Sequence, residues 1–503
     1  MMNIAQLFSS SHWPKGMPFA LKNSLPGDRQ ITGIQYRSDQ VRPGDLFVAV
    51  PGLATDGHLY APDAAARGAS ILVAERPVPE AGLPTLLVDD SRKALAALSA
   101  VFYGFPAKNL TLIGVTGTNG KSTTTHILEA ILREAGWTTG VMGTIDWHYP
   151  GHVEPTGTTT PESRDLQARL ATMRDAGVSH VVMEVSSHAA DLGRIVHTPF
   201  DVAVFTNLSQ DHLDYHKTMD AYWAAKKGFL ESVLDGRNGK DGASLVVNID
   251  DPAGEALLNL CLSRTGGKGL ISTARRHPEA LIRPGDPRLS ATGIRCNLTT
   301  PTHTFPILSP LVGTFNLDNL LSATGAAIAL NICGNTIKKA LEGPLAVPGR
   351  LERIQDPKGR FIFVDYAHTP DALEKALLTL KETTPGRLIV VFGCGGNRDR
   401  GKRPLMGTIA ATWADLCVVT SDNPRNEDPE TIIRDILQGM PSQERIWVEK
   451  DRRTAIFLAI AEARPGDAVL IAGKGHENYQ IVGNNILAFD DREVARKGVL
   501  AHA

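Results

Sequence analysis

Short apolar runs that end in glycine or polar residues alternate with helix-like segments along most of the chain. In the first part we predict a helix at SRKALAALSAVFYG (91–104) and strands at ITGIQYRSD (31–39), DLFVAVPG (45–52) and ASILVAE (69–75). Strands that alternate with helices predict a mostly parallel sheet covered by helices on both faces. The hydrophobic pattern therefore predicts the α/β class.

A second alternating segment begins near Pro106, where the pattern changes. Its helix is predicted at STTTHILEAILREAG (122–136), and its strands at LTLIGVTG (110–117), HVVMEVSS (180–187), FDVAVFTNLS (200–209) and ASLVVNID (243–250). The stretch from about 290 to 313 has a β pattern without a helix. We expect an antiparallel appendage there, at the end of a middle domain.

A domain boundary is predicted at VPGRLERI (347–354), where proline and glycine follow a helical run. Beyond it we predict a helix at PETIIRDILQGM (429–440) and strands at FIFVDYAH (361–368), LIVVFGCGG (388–396), ADLCVVTSDN (414–423) and DAVLIAGKG (467–475). Ligands bind beyond the carboxyl ends of strands in open α/β sheets, so these strand ends should converge on one site. The predicted domains are residues 1–107, 108–346 and 347–503.

Composition excludes several classes of function. The 503 residues are 42% hydrophobic and 21% charged, with Lys+Arg 52 against Asp+Glu 54, so the charge balance favours neither nucleic acid nor an anionic membrane. The five cysteines are scattered without a CxxC pair, which is typical of a reducing compartment. The first residues lack the apolar core of a signal peptide. We expect a cytoplasmic protein without membrane insertion.

The segment GVTGTNGKST (114–123) carries the strongest chemical signal. Gly117 and Gly120 let backbone N–H groups close around phosphate oxygens, Lys121 supplies a cation, and the Ser122 hydroxyl suits Mg²⁺ at a helix start. The common P-loop template has glycine where Val115 stands, so this loop is a variant. We predict a nucleotide site; the alternative is a plain glycine turn between strand and helix.

The variant TGTNGKS resembles the glycine loop of the Mur ligase family, ATP-dependent enzymes that form amide bonds in peptidoglycan synthesis. The resemblance runs in order through the chain. Its further motifs are MEVSSH (183–188), FTNLSQDHLDYH (205–216), YWAAKKGF (222–229), GTFNLDN (313–319), VPGRLE (347–352), VDYAHTPDAL (364–373), VFGCGGNRDRGKRP (391–404) and AGKGHE (472–477). It implies an N-terminal UDP-binding α/β domain, a central P-loop-type domain with a mostly parallel sheet, and a C-terminal Rossmann-like domain.

Within this family the resemblance implies addition of meso-diaminopimelate to UDP-N-acetylmuramoyl-L-alanyl-D-glutamate. The substrate carboxylate would attack the γ-phosphate of ATP, giving an acyl phosphate and ADP, and an amine would then displace phosphate. In such a reaction the protein mainly positions groups and neutralises charge. The implied cofactors are Mg²⁺, ATP as co-substrate, and CO₂ for carbamylation of a lysine.

The resemblance also implies which residues serve the nucleotide and the metal. The implied ATP-binding residues are Gly114, Thr116, Gly117, Thr118, Asn119, Gly120, Lys121, Ser122, Asn316, Arg350, Asp365 and His368. The implied Mg²⁺ ligands are Ser122, Glu184, His212 and carbamylated Lys226. Lys121, Glu184, His212 and Lys226 are the implied catalytic residues. On residue type alone, Glu184 is equally well a structural carboxylate and His212 a turn histidine.

Lys226 is the least obvious of these residues. A lysine followed by Lys227 on a helix predicts a solvated face. Its position, four residues after Tyr222 and fourteen after His212, matches the family lysine that reacts with CO₂. A carbamate forms only from a neutral amine, and a free lysine titrates near ~10.4, so burial or the adjacent Lys227 must lower its pKa.

Hydroxyls and a guanidinium suit a ligand rich in carboxylates. The resemblance implies that the UDP-sugar dipeptide binds Tyr36, Ser38, Leu53, Ala54, Thr55, Thr159, Thr160, Ser186, Leu192 and Arg194. Leu192 stands where the family usually has glutamine, which removes one polar contact. For the residues of the first domain, an ordinary βα loop is the alternative reading.

The third domain should select the incoming amino acid. The implied pocket residues are Arg398, Asp422, Asn423, Pro424, Arg425, Gly473 and Glu477. A guanidinium holds a carboxylate through two parallel hydrogen bonds. Because the far end of meso-diaminopimelate carries a carboxylate and an ammonium, Arg425 and Glu477 together suit it. Asn397 replaces an aspartate common in the family, and we expect this replacement to have a modest effect on the amino-acid site.

Alternatives remain at this point. An L-lysine-adding ligase of the same family would leave Arg425 facing no carboxylate. Folylpolyglutamate synthetase is a more distant relative, disfavoured by the VPGRLE and DNPR motifs. A regulatory nucleotide-binding module would bind ATP without turnover. We expect a monomer that acts on small-molecule substrates, without nucleic acid, and whose domains close around them.

Overall fold

The computed structural model describes residues 1–12, 18–24, 27, 29–53, 55–440 and 445–502. They form two compact units. The first comprises Met1–Ile282 and Ser322–Ile337, and the second comprises the described residues of 283–321 and those from 338 onward. Within these described ranges, no helix has the length and apolar character needed to cross a membrane.

The first unit begins with a small parallel sheet of strand order β3-β4-β5-β6, as the sequence predicts. The strands and helices here are β1 (Met2–Asn3), α1 (Ile4–Leu7), β2 (Gln30–Ile31), β3 (Ile34–Gln35), β4 (Leu46–Val48), α2 (Ala61–Ala66), β5 (Ile71–Ala74), β6 (Thr85–Leu87) and α3 (Ser91–Phe102). The strands are shorter than their apolar runs because each run continues into a loop or a 3₁₀ turn, such as Ser38–Gln40.

The large sheet of the first unit has strand order β10-β9-β8-β11-β7-β12-β13-β14, antiparallel in the β10-β9-β8 part and parallel elsewhere. Its strands are β7 (Thr111–Thr116), β8 (Thr139–Met142), β9 (Asp146–Tyr149), β10 (His152–Pro155), β11 (His180–Glu184), β12 (Phe200–Phe205), β13 (Gly239–Asn248) and β14 (Leu270–Thr273). The predicted mostly parallel sheet is confirmed. Strands β8, β9, β10 and β14 are additions that the sequence does not predict.

Helices cover this sheet. They are α4 (Lys121–Glu134), α5 (Ser163–Asp175), α6 (Ser187–Asp191), α7 (Leu213–His216), α8 (Met219–Leu234) and α9 (Pro252–Thr265). Side-chain oxygens cap several of their first turns: Ser186 accepts from the Ala189 nitrogen, and Thr218 accepts from the Ala221 nitrogen. Residue 114, on β7, pairs with Met183 of β11 and Ala203 of β12, so the glycine loop leaves the middle of the sheet.

The second unit contains a sheet of strand order β18-β19-β23-β20-β21-β22, in which only the β18-β19 pair is antiparallel among the described pairs. Its strands and helices are β18 (Glu352–Ile354), β19 (Phe361–Asp365), α12 (Pro370–Thr383), β20 (Leu388–Phe392), α13 (Lys402–Trp413), β21 (Leu416–Val419), α14 (Pro429–Leu437), β22 (Ile446–Val448), α15 (Arg452–Glu462), β23 (Ala468–Ala472), β24 (Tyr479–Val482), β25 (Asn485–Ala488) and α16 (Asp491–Ala501). The predicted strands and the helix near 429–440 are confirmed.

The β pattern near 290–313 forms an antiparallel sheet, as expected. Its strands are β15 (Arg283–Ser290), β16 (Gly293–Thr299) and β17 (Thr304–Ser309), followed by α10 (Thr314–Ala329) and α11 (Gly334–Glu342). These strands group with the second compact unit, and the Ala291 nitrogen donates to the Thr383 oxygen at 3.0 Å. The three domain bounds given above remain predictions.

Candidate active site

The glycine loop joins β7 to α4. Gly117 has φ of 145°, and a Cβ placed on it would lie 1.9 Å from Thr206 Oγ1, so only glycine fits. The end of β12 holds the loop: the Thr118 nitrogen donates to the Asn207 carbonyl oxygen at 2.8 Å, and the Asn119 nitrogen donates to Asn207 Oδ1 at 2.9 Å. Sequence reasoning misses Thr206 and Asn207 as loop supports, although they lie in the FTNLSQDH motif.

Lys121 is the first residue of α4, and its ammonium turns back over the loop. Its Nζ donates to the carbonyl oxygens of Gly117 at 3.1 Å and Thr118 at 2.9 Å. A cation and backbone N–H groups at a helix N-terminus together favour phosphate oxygens. The loop therefore has the geometry that the sequence predicts for a nucleotide site.

Glu184 ends β11 directly beside the loop, since it pairs with Val115. Its side chain is buried, and Oε1 accepts from Ser122 Oγ at 2.8 Å. Thr144, which the sequence does not single out, donates to Oε1 through its nitrogen at 2.9 Å and to Oε2 through its hydroxyl at 3.0 Å. A carboxylate and a hydroxyl in contact are hard oxygen donors of the kind that Mg²⁺ prefers.

Lys226 lies in the core although the sequence predicts a solvated face. It is 1% exposed, its Nζ donates to the Gly117 carbonyl oxygen at 2.8 Å, and it lies 4.6 Å from the Tyr222 ring centroid. Burial, and next the charge of Lys121, hold the pKa of Lys226 well below its ordinary value, against the opposing charge of Asp211. Of the two causes expected from the sequence, burial is therefore the one found, and the cationic neighbour is Lys121 in place of Lys227.

His212 lies on the approach to α7 with a left-handed backbone, φ 53°. Its ring packs edge-on against His188 at 4.9 Å. Burial lowers the pKa of His212, and the positive charges of Lys121 and Lys226 act in the same direction. The neutral form of an imidazole has a lone pair that can serve a metal.

A resident cation would have to rely on oxygen donors. Among the described residues, no group of three or more His, Cys, Asp and Glu side chains is placed to hold a metal ion. The Ser122–Glu184 pair fits Mg²⁺ by donor type, and substrate phosphates commonly complete such a site. Carbamylation fits Lys226 because its buried amine has a lowered pKa.

Four of the residues predicted for the UDP-sugar dipeptide, Thr159, Thr160, Ser186 and Arg194, lie together beyond β11. Thr160 Oγ1 donates to the Glu184 carbonyl oxygen at 2.8 Å and accepts from the Ser186 nitrogen at 3.0 Å. Arg194 Nη1 donates to the Thr160 carbonyl oxygen at 3.2 Å, and Thr159 Oγ1 lies 3.0 Å from Thr144 Oγ1.

Leu192 ends α6 beside this group. Its side chain has no polar atom, so it offers only an apolar surface where a glutamine would offer an amide.

A cavity of about 300 Å³ opens between the small sheet and the start of α5, within the first unit. Its lining residues are Tyr36, Arg37, Ser38, Asp39, Val50, Gly52, Thr55, Gly57, Tyr60, Arg92 and Glu162. The predicted residues Tyr36, Ser38 and Thr55 are among them. Leu53 is 70% exposed and adjoins the lining residue Gly52, whereas Ala54 lies outside the described residues.

Arg92 and Glu162 are cavity residues that sequence reasoning misses. Arg92 Nη1 lies 3.2 Å from Glu162 Oε2, and its Nη2 donates to the Pro51 carbonyl oxygen at 3.0 Å. Glu162 Oε2 also lies 3.3 Å from Arg194 Nε. One partly buried carboxylate therefore holds a guanidinium of the cavity and a guanidinium of the predicted dipeptide site. The sequence signal that could have identified Glu162 is its position two residues after the predicted site residue Thr160.

The predicted nucleotide residues of the second unit surround Tyr366. The Leu351 nitrogen donates to Asp365 Oδ2 at 2.7 Å, and the Arg350 guanidinium lies 5.1 Å from the Tyr366 ring. Burial raises the pKa of Asp365, and the charge of Arg350 opposes the rise. His368 Nδ1 lies 2.8 Å from the Tyr366 carbonyl oxygen.

Asn316 is buried, and its Nδ2 donates to the Val312 carbonyl oxygen at 2.8 Å. Its amide nitrogen thus fixes the start of α10. A role toward the nucleotide stays a prediction.

The predicted amino-acid residues lie at the carboxyl ends of neighbouring strands. Arg425, after β21, donates from Nη1 to the Gly396 carbonyl oxygen at 2.9 Å, after β20. A Cβ on Gly395 would lie 2.8 Å from Arg425 Nη1 and 3.7 Å from Arg398 Cγ, so both arginines flank this glycine. The strand ends converge as the sequence predicts.

Asn423 organises the other side of this site. Its Nδ2 donates to Glu477 Oε2 at 2.9 Å, and its Oδ1 accepts from the Ile481 nitrogen at 2.9 Å and from Lys474 Nζ at 3.2 Å. Lys474 Nζ also donates to Glu477 Oε2 at 3.0 Å. The fully buried Lys474 therefore orients the predicted Glu477, a role that sequence reasoning misses.

Three further predicted residues close the pocket walls. The Gly473 nitrogen donates to the Asp365 carbonyl oxygen at 3.1 Å, Asp422 Oδ1 accepts from the Asn423 nitrogen at 2.6 Å, and Pro424 is buried. They join the ends of β19, β21 and β23.

Comparisons with known proteins agree with this arrangement. Residues 30–103 match the Mur ligase family catalytic domain, 115–327 the Mur ligase middle domain, and 349–475 the Mur ligase glutamate ligase domain. Two curated relatives carry the name UDP-N-acetylmuramoyl-L-alanyl-D-glutamate–2,6-diaminopimelate ligase. The protein from Geobacter metallireducens is 45% identical over 92% of this chain and 93% of its own, and that from Synechococcus elongatus is 47% identical over 93% and 94%.

A solved structure of a ligase with the same name is also similar. It is 32% identical, covers 98% of each chain, and superposes with a TM-score of 0.72. The identity, the coverage and the consecutive domain matches agree with the resemblance seen in the motifs. The chain belongs to the Mur ligase family.

Proposed function

We propose that this chain is an ATP-dependent ligase that joins meso-diaminopimelate to UDP-N-acetylmuramoyl-L-alanyl-D-glutamate, as a cytoplasmic monomer in peptidoglycan precursor synthesis. The observation that carries the proposal is the 45% and 47% identity to relatives of that name over more than nine-tenths of the chain. The glycine loop, the Arg92–Glu162–Arg194 contacts and the pair Arg398 and Arg425 supply candidate sites for the three substrates.

The glycine loop and Lys121 are suited to hold ATP by its phosphates. A carboxylate of the peptide substrate attacks the γ-phosphorus of ATP. The bond between the γ-phosphorus and the oxygen that bridges it to the β-phosphate breaks, and ADP leaves. Negative charge develops on the transferred oxygens, and the Lys121 ammonium, which is held over the loop carbonyls, is suited to neutralise it. Preorganised cations of this kind stabilise the transition state without solvent reorganisation.

Mg²⁺ would be held by Ser122 and Glu184, with His212 and carbamylated Lys226 as further ligands. When bound, it would neutralise phosphate charge. Lys226 is set up for carbamylation because its amine is buried and lies near Lys121. The neutral amine adds to CO₂ and releases one proton, which turns a neutral position into an anionic one.

In the second half-reaction the amine of the incoming amino acid attacks the acyl carbon. The carbon–oxygen bond to phosphate breaks, the amide forms, and a proton and phosphate are released. Arg398 and Arg425 suit carboxylates of the amino acid, and Glu477 suits an ammonium. The second carboxylate of diaminopimelate is what distinguishes it from L-lysine here.

The test is an amino-acid panel with ATP and UDP-N-acetylmuramoyl-L-alanyl-D-glutamate, followed by ADP release and product mass. We expect turnover with meso-diaminopimelate and at least about tenfold lower kcat/KM with L-lysine, since an unmatched buried charge is costly. Equal or better turnover with lysine would contradict the specificity. ATP binding without ADP formation when both other substrates are present would contradict the ligase activity.

A further inference from the structure

Two loops of the second unit carry the arginines assigned to the amino acid. One follows β20 and contains Gly395, Gly396 and Arg398, and the other follows β21 and contains Arg425. They touch through backbone contacts: the Gly396 nitrogen donates to the Asn423 carbonyl oxygen at 2.9 Å. Because an arginine fork reads a carboxylate bidentately, the spacing between the loops determines how well the site fits its ligand.

The carboxylate of Glu427 joins these loops. Its Oε1 accepts from the Asn397 nitrogen on the first loop, while its own nitrogen donates to the Pro424 carbonyl oxygen at 3.0 Å on the second. Asn397 returns the contact, since its Oδ1 accepts from the Asn426 nitrogen at 3.1 Å. The two loops are therefore linked in both directions within a few residues of both arginines.

Arg403 also binds both parts of this link. Its Nη2 donates to Glu427 Oε1 and its Nη1 to Glu427 Oε2, each at 3.0 Å, which is a bidentate pair. Nη2 also donates to the Gly395 carbonyl oxygen at 3.3 Å, on the first loop. The Arg403 side chain is fully buried, and that of Glu427 is 11% exposed, so water screens this pair little.

Arg403 has a second partner that lies away from both loops. Its Nη1 donates to Asp435 Oδ2 at 2.8 Å, on α14. Asp435 therefore shares the charge of Arg403 from helix α14, outside both loops. Both carboxylates bind Arg403, but Glu427 also binds the loop that contains Asn397. A comparison of variants at Glu427 and Asp435 therefore separates the holding of Arg403 from the holding of the loops.

We propose that Glu427 is a positioning residue for the amino-acid substrate: by binding Arg403 and the Asn397 amide, it sets the spacing of Arg398 and Arg425. The proposal rests on the proposed function, because it assumes that these arginines bind the amino acid. Glu427 takes no part in bond making. The hydrogen bonds from Arg403 hold the pKa of Glu427 at about 2, so the link persists at any pH at which the enzyme would be assayed.

The test compares Glu427→Gln with Asp435→Asn. Glutamine keeps the size of the side chain and one oxygen acceptor, but it cannot hold the guanidinium of Arg403 and the Asn397 amide as a carboxylate does. We expect the KM for diaminopimelate to rise about tenfold or more, because displacements of about 1 Å cost on that order, while the KM for ATP stays within about twofold. Asp435→Asn removes a charge from the same arginine and should leave the KM for diaminopimelate within about threefold.

A triple variant guards against simple misfolding. Glu427→Gln combined with Arg403→Leu and Asp435→Asn removes the buried guanidinium together with both of these carboxylate partners, so it should fold even where the single variant does not. It should show the same selective rise in KM. Glu430→Gln, three residues away, is the surface control and should match the wild type, because the Glu430 carboxylate is exposed and pairs with exposed Lys450.

The outcomes separate the two proposals. If the wild type shows no diaminopimelate-dependent ADP release, the proposed function fails. If the wild type is active and the folded Glu427 variants keep their KM for diaminopimelate, or raise the KM for ATP equally, the positioning role is overturned. An Asp435→Asn effect as large as that of Glu427→Gln would also overturn it, since charge around Arg403 would then be the cause.

Discussion

Lys226 Nζ donates a hydrogen bond to the Gly117 carbonyl oxygen at 2.8 Å, so a buried amine on α8 lies against the glycine loop. Lys226→Gln should lower kcat about a hundredfold or more, since a preorganised charge at a transferring phosphoryl group is worth that order. In ¹³C NMR with ¹³C-bicarbonate, the wild type should show a carbamate signal that this variant lacks.

Lys227→Gln is the matched control for this prediction. Lys227 is only partly buried and is not among the groups that lower the pKa of Lys226. Its replacement should leave kcat within about twofold, because surface substitutions away from a site rarely perturb it. A loss of activity as large as that of Lys226→Gln would refute the assignment.

Gly117→Ala should abolish ATP binding in a titration followed by calorimetry. The added Cβ would meet Thr206 Oγ1 at 1.9 Å, and φ of 145° is strained for alanine, so the loop must move. Gly228→Ala, on α8 where a Cβ meets nothing within 4 Å, should instead raise the unfolding free energy by about 0.4–1 kcal/mol. Normal ATP affinity in Gly117→Ala would contradict the loop assignment.

Arg425→Ala should raise the KM for diaminopimelate about ten- to a hundredfold, because a charge-assisted hydrogen bond is worth roughly 1.5–3 kcal/mol. The KM for ATP should change little, and the preference over L-lysine should shrink. Arg434→Ala, on α14 and bonded to Thr431 Oγ1 at 2.9 Å, serves as the control. Comparable losses for ATP and diaminopimelate would remove Arg425 from the specificity role.

Glu162→Gln should weaken the UDP-linked substrate. The guanidiniums of Arg92 and Arg194 lose their common anion, and we expect the KM for that substrate to rise about tenfold, the effect of roughly 1.4 kcal/mol. Glu154→Gln on β10, where the carboxylate is 53% exposed, should be neutral. An unchanged KM in Glu162→Gln would show that the two arginines are held without it.

His148 predicts a pH dependence of stability. Burial opposes its charge, but hydrogen bonds to Asp146, on β9, and Glu129, on α4, raise the pKa of His148 to about 9, with His126 as the other facing group. A folded-state pKa above the unfolded one stabilises the protein fully below about pH 6.5, and this is lost as pH rises through about 9. The difference between a folded pKa of about 9 and an unfolded pKa of about 6.5 corresponds to about 3 kcal/mol.

Denaturant unfolding at pH 6 and pH 9.5 measures this difference. His148→Gln should lower the stability at pH 6 and flatten its decline toward pH 9.5. His303→Gln, at an exposed position, should keep the wild-type profile. If the stability of His148→Gln declines between pH 6 and pH 9.5 as steeply as that of the wild type, other groups cause the pH dependence.

Strand ends were predictable because apolar runs followed by glycine, aspartate or asparagine mark them locally, as in FIFVDYAH and ADLCVVTSDN. The β24–β25 hairpin had a comparable signal, since Gly483 and Asn484 separate YQIV from NILA, and it was missed. Burial of Lys226 also had a local signal: it lies on the helical face of α8 that carries Tyr222, Phe229 and Val233.

Other parts of the site depend on contacts between distant segments. Glu162 meets Arg92 across 70 residues, and Lys474 meets Asn423 across 51. Neither pair has a local pattern, because the fold brings the partners together through the parallel order of its strands. The family resemblance names ligand-binding residues but not the side chains that hold them in place.

Arg425 has a left-handed backbone, φ 52°, and its nitrogen and carbonyl oxygen are bonded to the Ile481 oxygen and the Gly483 nitrogen of the hairpin. Such a conformation is unusual for a long side chain and persists where neighbours impose it. Grafting an arginine alone into a lysine-adding relative should therefore transfer selectivity poorly. We predict that selectivity is transferred only by Arg425 together with the β24–β25 hairpin, so the two should be exchanged as one piece in engineering.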